Sequence, residues 1–310
     1  MGARRLGRAD NDAAGIGDFT EFSKRGDLLP LSRAEQMFYC ATKVETSLNG
    51  RPVQTGTGFF YVVHLAEDRT REVHLLVTNK HVLEGADRIN LKLHQNDGKG
   101  SPVENSEFID ISLELNKEIV IHSPDSEVDL CAVAMGHALS TMHSLGKPIF
   151  YVALDKSVIP PSNEEWKKFD AIEKITMVGC PNGLFDAANN MPIARSGSTA
   201  TDIARRYQGK NDFLIDLACF PGSSGSPVFV YDLNGGLDRG STTFELGRIK
   251  SAFVGVLYAG PVMNNEGEIQ LAKGPTFQFT SMMHLGLVVK SSEILIFEQI
   301  IRDMDAQGKL

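Results

Sequence analysis

Gly58-Phe59-Phe60-Tyr61-Val62-Val63, Val73-His74-Leu75-Leu76-Val77-Thr78 and Ile89-Asn90-Leu91-Lys92-Leu93 are three short apolar runs within residues 58–93. Each is rich in β-branched and aromatic side chains, and runs of this length bounded by polar or turn residues are the signature of strands. The series extends both ways, with Phe38-Tyr39-Cys40-Ala41-Thr42-Lys43-Val44 before it and residues 109–121 and Leu130-Cys131-Ala132-Val133-Ala134 after it. Asn96-Asp97-Gly98-Lys99-Gly100-Ser101-Pro102 has the chemistry of a turn. Ile159-Pro160-Pro161-Ser162-Asn163 can hold neither a helical nor a sheet ladder and reads as a linker. A second series starts at Lys174-Ile175-Thr176-Met177-Val178 and continues through 212–218, 226–231, 249–258, 275–281 and 286–290, with polar loops at 232–248 and 261–274. The last segment changes period: Ile294, Phe297, Ile301 and Met304 recur at helical spacing, and Ser291 or Ser292 can cap the helix.

The chain is therefore expected to be all-β, a pair of barrels or a sandwich, in two halves at residues 31–155 and 165–310, the second ending in a helix. Residues 1–30, rich in Gly, Ala, Asp and Arg, carry no apolar period and are expected to form a flexible arm.

Composition narrows the function. The chain of 310 residues is 42% hydrophobic and 23% charged, which excludes wholesale disorder. Its net charge of −8, with no basic stripe, argues against a nucleic-acid partner. No run approaches the roughly 18 apolar residues of a membrane span, so no membrane partner is expected. Cys40, Cys131, Cys180 and Cys219 are far apart, with no C-x-x-C and no zinc-ligand spacing. No metal and no cofactor is expected. The first residues hold neither a secretory signal nor the myristoylation pattern, which with the sparse cysteines gives a cytoplasmic expectation with reduced thiols.

Three local signatures carry chemistry, in this order. Leu76-Val77-Thr78-Asn79-Lys80-His81-Val82 runs a strand into a histidine. Val128-Asp129-Leu130-Cys131-Ala132-Val133 places an acid at the head of a strand. Pro221-Gly222-Ser223-Ser224-Gly225-Ser226-Pro227 sets a serine between glycines. A serine hydroxyl is a weak nucleophile until an adjacent base takes its proton, and an imidazole, with a pKa near working pH, suits that task. A carboxylate on the other ring nitrogen fixes the tautomer and stabilises the imidazolium. The amides of Gly222 and Ser224 can then converge on a developing oxyanion. Singly, each signature has an ordinary structural reading, as the other seven histidines (64, 74, 94, 122, 137, 143 and 284) are expected to have.

Together the motifs resemble the trypsin-like serine peptidases of chymotrypsin fold, in their bacterial form and nearest to the HtrA-type protease domain. The histidine motif is similar to V-T-N-x-H-V, the acid strand to D-L-A-[VL], and the serine motif to P-G-N-S-G-[GS]-P. Gly56-Thr57-Gly58-Phe59 resembles G-[ST]-G-F, and Val178-Gly179-Cys180-Pro181-Asn182-Gly183-Leu184 resembles G-x-P-x-G-L. The resemblance spans roughly 36–305. It implies two six-stranded antiparallel β-barrels, His81 and Asp129 on the first and Ser224 on the second. His81 would be the general base, Asp129 its orienting partner, Ser224 the nucleophile, and the Gly222 and Ser224 amides the oxyanion hole. The implied activity is endopeptidase cleavage of a protein or peptide substrate through an acyl-enzyme. A catalytically silent binding protein and an esterase using the same residues are the alternatives.

The resemblance also implies a substrate site. An extended peptide would pair near Tyr258-Ala259-Gly260, and Ala218, with Cys219 and Phe220 beside it, would floor the pocket. No carboxylate from that stretch awaits a Lys or Arg, so an uncharged, small-to-medium apolar residue is expected at the cleaved position. Departures are expected too. Only the helix follows residue 290, so no peptide-binding PDZ module is expected. Ser223 stands where relatives carry an acid that pairs with a freed N-terminus. The chain is thus expected to need no N-terminal cleavage, with loops 182–212 and 261–274 ordering the site, alone or with a regulatory protein partner. Tyr258 stands where a small serine often bonds the catalytic acid.

Overall fold

The computed structural model describes residues 31–66, 69–103, 108–233, 239–240, 249–260, 262–268 and 276–310. The expected arm 1–30 and most of the polar loop 232–248 lie outside the described residues.

Alternation along the strands decides the architecture. In β2 (Arg51–His64) and β3 (Glu72–Thr78) nearly every residue from Gly56 to Val63 and from Leu75 to Thr78 is buried. Successive side chains of a strand point to opposite faces. Phe59, Tyr61, Val63, Leu75 and Val77 accordingly enter a core that also holds Phe229, Phe253 and Val289 of the second half, while Phe60 and Leu76 enter a core confined to the first half. Both faces are covered, which is why these strands read as continuous apolar runs.

The first half contains β1 (Ala41–Leu48), β2, β3, β4 (Arg88–Gln95), β5 (Ile109–Glu114), β6 (Val120–His122), β7 (Cys131–Ala134) and β8 (Ile149–Phe150). The sheet runs β5-β4-β1-β2-β3-β7-β6, with β8 attached to β4. The resemblance implied a six-stranded barrel here; the sheet instead curls without a ladder joining β5 to β6 among the described residues. The second half contains β9 (Lys174–Gly179), β10 (Ile193–Thr199), β11 (Asp212–Asp216), β12 (Pro227–Asp232), β13 (Lys250–Ala259), β14 (Val262–Glu268), β15 (Thr276–Met282) and β16 (Leu285–Lys290). Six of these close a barrel, β10-β11-β16-β13-β12-β9, and β14 pairs with β15 as a separate ribbon. The fold is thus mostly β, a closed six-stranded barrel beside a curled sheet.

Four details differ from the sequence reading. Phe38, Tyr39 and Cys40 belong to the helix Arg33–Cys40, not to a strand, because Ser32 and Glu35 form a reciprocal capping box that starts a helix there. The segment 159–163, expected to hold neither ladder, buries Ile159 and Pro160 and exposes Pro161 and Ser162, and Asn163 opens the short helix Asn163–Trp166, capped by Ser162. Residues 262–268, expected in a loop, form a strand. The final helix, Leu295–Ala306, is not capped by a serine: Ser291 Oγ donates instead to the Phe253 carbonyl (2.8 Å). The helix carries Phe297 and Ile301 into the shared core, and its buried Glu298 accepts a 2.8 Å bond from Tyr61 of the first half.

One side chain joins the halves most closely. Thr57, on β2 and fully buried, donates its backbone N–H to the Ser224 carbonyl (2.8 Å) and its hydroxyl to the Gly222 carbonyl (2.9 Å). The same hydroxyl accepts the Cys180 N–H (2.9 Å), and the Thr57 carbonyl accepts from Thr78 Oγ1 (2.7 Å).

All four cysteines are free and buried. Burial pushes their thiols up, Cys180 to about 12 and Cys219 to about 11, so little thiolate forms near neutral pH.

Two predictions follow from this packing. Thr57→Val keeps the volume but leaves the buried Cys180 N–H and the part-buried Gly222 carbonyl without this partner. It should cost about 2–4 kcal/mol in denaturant melts, whereas Thr57→Ser, which keeps the hydroxyl, should cost only about 1 kcal/mol. Equal losses from the two variants would count against a hydroxyl-mediated clamp. Native protein should resist thiol alkylation at pH 8, and denatured protein, without reductant, should take four labels by intact mass; fewer would reveal a disulfide.

Candidate active site

His81 opens from the strand that precedes it. β3 pairs with β7 so that Thr78 lies opposite Cys131. His81, three residues past Thr78, and Asp129, two before Cys131, therefore emerge at one end of the same ladder. His81 lies in the short helix Lys80–Leu83. Its Nδ1 meets Asp129 Oδ2 at 2.5 Å, and its backbone N–H donates to Asp129 Oδ1 at 3.2 Å. The acid is thus held by ring and backbone of one residue. Asn79, fully buried, steadies the approach by donating to the Asp129 carbonyl (2.7 Å). Gln54 Nε2 donates to the carbonyls of His81 and Val82, the latter at 2.8 Å. The His81 side chain keeps 39% of its exposure, so the ring remains reachable.

Ser224 follows a turn. Ser223 N–H donates to the Phe220 carbonyl at 3.0 Å, with Pro221 and Gly222 between and Gly222 at φ +84°. Proline then glycine at the two central positions, the second with positive φ, is the chemistry of a type II turn. The Pro221 carbonyl accepts the Asn182 N–H at 2.5 Å. In a trans peptide the N–H points opposite to the carbonyl of the same unit, so fixing the Pro221 carbonyl on Asn182 turns the Gly222 N–H the other way. Asn182 itself sits at φ 51°, a left-handed conformation that asparagine tolerates. A cavity of about 400 Å³ is lined by His81, Ser224, Gly222, Asn182 and Gln54 among others. A larger one, about 630 Å³, lies across His81 and Asp129 and is walled by Leu83, Leu115 and Val120. Histidine, serine and the candidate oxyanion amide therefore share one cleft. Ser224 Oγ donates to the Tyr258 carbonyl at 3.5 Å.

Of the remaining predicted residues, Tyr258 touches the cleft through its carbonyl, and Ala218, Cys219, Phe220, Ala259 and Gly260 are not among the residues lining either cavity. Tyr258 and Ala259 end β13, and Gly260 follows them. The Tyr258 hydroxyl turns to Asp212 Oδ2 (2.9 Å), and burial pushes the carboxyl of Asp212 up. The support that a serine would give Asp129 comes here from the His81 N–H. Cys219 is buried, with its Sγ on the Leu217 carbonyl (3.2 Å). Ala218 is half-buried, and its carbonyl accepts from Arg195 of β10, whose guanidinium lies 5.1 Å from the Phe220 ring centre. Sequence reasoning missed Arg195, which lies 23 residues from Ala218 in a segment where it recognised no strand. It missed the anchoring by Gln54 as well. Asn79, Thr57 and Asn182 stood inside quoted motifs without a role. Among the described residues no cluster of three metal-ligating side chains occurs.

Ser223 is fully buried, and its Oγ meets no hydrogen-bond partner among the described residues. Ser223→Ala should therefore change stability by no more than about 0.5 kcal/mol in thermal melts, or raise it. A loss of about 2 kcal/mol would mean that the hydroxyl has a partner.

The trypsin-like peptidase domain model matches residues 56–235. Among solved structures, the thermostable serine protease AL20 from an extremophilic microorganism is 13% identical, with 86% of this chain and 97% of that one covered and a TM-score of 0.45. A serine endoprotease from Yersinia pestis is 12% identical over 89% of this chain and 69% of that one, with a TM-score of 0.44. The Drosophila clip serine protease Grass of the Toll pathway is 13% identical over 97% and 77%, with a TM-score of 0.46. Comparison with curated proteins found no match. The family match covers more than half of the residues and includes the histidine, acid and serine motifs. The chain belongs to the trypsin-like peptidase domain family, and the class that goes with that membership is serine-type endopeptidase.

Proposed function

We propose that this chain hydrolyses peptide bonds with Ser224 as nucleophile, His81 as general base and Asp129 as its orienting carboxylate. The observation that carries the reading is the 2.5 Å Asp129–His81 contact beside a cleft that also holds Ser224 and Gly222. With Nδ1 donating to Asp129, Nε2 is left as the base. The reaction requires the Ser224 hydroxyl to leave the Tyr258 carbonyl for Nε2, and a χ1 rotation between staggered wells is the move this reading assigns to it. The serine oxygen then bonds the scissile carbonyl carbon while its proton passes to Nε2, and the carbonyl oxygen takes the negative charge against the Gly222 and Ser224 amides. Collapse breaks the C–N bond, and His81 returns the proton to the leaving amine. Water, deprotonated by His81, attacks the acyl-enzyme, and the proton goes back to Ser224. The substrate is an extended peptide whose backbone pairs with residues 258–260.

Ser224→Ala should abolish both labelling by a fluorophosphonate probe and peptide hydrolysis, with an unchanged melting curve. Asp129→Asn should lower kcat by about three to four orders of magnitude, because the ring is then held in the wrong tautomer. Full peptidase activity in Ser224→Ala would overturn the reading. Probe labelling with ester but no peptide turnover would make the chain an esterase.

A further inference from the structure

The loop of Ser224 is gripped by two strands. Thr57 of β2 holds the Ser224 carbonyl, and the end of β13 supplies the second grip. The Gly225 N–H donates to the Leu257 carbonyl at 2.8 Å, and the Leu257 N–H donates to the Ser226 carbonyl at 3.0 Å. The Ser224 hydroxyl itself meets the Tyr258 carbonyl. A shift of residues 257–258 is therefore passed straight to the nucleophile loop. Ladder pairing alone does not fix that stretch. β13 lies on β16 with Leu257 opposite Val288 and Ala259 opposite Leu287, so Tyr258 is the extra residue of a bulge. A bulged residue is left unpaired by the neighbouring strand. What ties Tyr258 down is its side chain: the barrel runs β11-β16-β13, and the hydroxyl crosses β16 to donate to Asp212 Oδ2 of β11 at 2.9 Å.

Asp212 is a costly anchor. It is buried, and among the described residues its carboxylate forms no ion pair. Burial pushes the carboxyl up, although the Tyr258 hydroxyl and the Lys210 charge act the other way. Packing alone gives no reason to bury a carboxylate without a cation. What a carboxylate adds is strength, since a hydrogen bond to an ionised acceptor is about twice as strong as one between neutral groups. The anchor is itself well seated. Asp212 pairs with Val289 of β16, and its carbonyl accepts the Tyr207 N–H at 3.1 Å. The adjacent Asn211 side chain donates to Ser292 Oγ (2.9 Å) and Glu293 Oε1 (2.7 Å), ahead of the final helix.

We propose that Asp212 and Tyr258 are positioning residues for Ser224: the bond between their side chains pins the bulge, and the pinned bulge fixes the nucleophile relative to His81. The proposal rests on the reading of Ser224 as nucleophile. Misplacing a reacting group by about 1 Å can cost about a hundredfold in rate, so a loosened bulge should show in the chemistry. The test is the second-order rate constant for fluorophosphonate labelling of the full chain, with reactive sites counted at completion. The count reads how much protein is folded, and the rate reads where the serine stands. A merely structural role would lower the count or the melting temperature and leave the rate alone. Tyr258→Phe and Asp212→Ala should each label about tenfold more slowly than wild type. Asp212→Asn, which keeps an acceptor oxygen, should lose only about threefold. The double variant Asp212→Ala/Tyr258→Phe should match the slower single variant within about twofold, because the pair acts as a unit. A wild-type rate in Tyr258→Phe, or losses that multiply to about a hundredfold in the double variant, would refute the proposal. If those variants do not fold, Asp212→Asn decides, and a wild-type rate there refutes it. No labelling of the wild type would strike the nucleophile reading and the positioning with it, whereas equal rates in wild type and all variants would strike the positioning alone.

Discussion

Thr57 is the constraint on which the relation between the two halves depends. Its backbone and hydroxyl reach Ser224, Gly222, Cys180 and Thr78 at once, and the bonds to Cys180 and Thr78 are buried. Apolar packing between the halves, such as Phe59 against Phe253 at 5.3 Å, supplies the driving force but tolerates sliding. Hydrogen bonds do not, because a small displacement leaves buried groups unpaired. The clamp also demands room. A Cβ on Gly225, which sits at φ +88°, would lie 1.9 Å from the Thr57 carbonyl, so only glycine lets the serine loop approach β2 this closely. The motif Gly56-Thr57-Gly58-Phe59 and the glycines around Ser224 are two sides of one contact.

The base and the acid are placed by a different device. They are 48 residues apart in the chain, but the register of β3 on β7 makes them neighbours. A slip of one residue would turn every side chain of β3 to the other face and move Leu76 out of one core and Val77 out of the other. The burial of both faces therefore guards the His81–Asp129 distance: the same alternation that builds the cores fixes the chemistry.

This explains what could be read from the sequence. Strands such as 58–63 and 73–78 are apolar because they are covered twice, so they announced themselves, and the His81, Asp129 and Ser224 motifs are local and rich in glycine or strand residues. β10 did not, because Ile193-Ala194-Arg195-Ser196-Gly197-Ser198-Thr199 is largely polar and half-exposed, with a paired partner supplying what its own composition lacks. The helix at Arg33–Cys40 was hidden by the aromatic pair Phe38-Tyr39, although Ser32-x-x-Glu35 signalled it. The curl of the first sheet depends on which strands meet at its edges, and that is a long-range property no local pattern encodes. Arg195 was out of reach for the same reason.

The turn before Ser224 is held by neutral groups rather than by an ion pair. Where an aspartate precedes the nucleophile and pairs with an ammonium, two charges must be stripped of water, and the pair orders the loop only once the ammonium is supplied. Here Ser223 brings no charge into a fully buried position. The order comes from Pro221 and Gly222, whose backbone angles suit the turn in advance, and from three neutral bonds, Asn182 to Pro221, Thr57 to Gly222 and Thr57 to Ser224. Proline lowers the entropy that the loop loses on ordering, so modest bonds are enough. None of these groups titrates near neutral pH, and none needs a new chain end. At the head of the segment 182–212 a single backbone N–H, that of Asn182, holds the Pro221 carbonyl and thereby turns the Gly222 amide the other way.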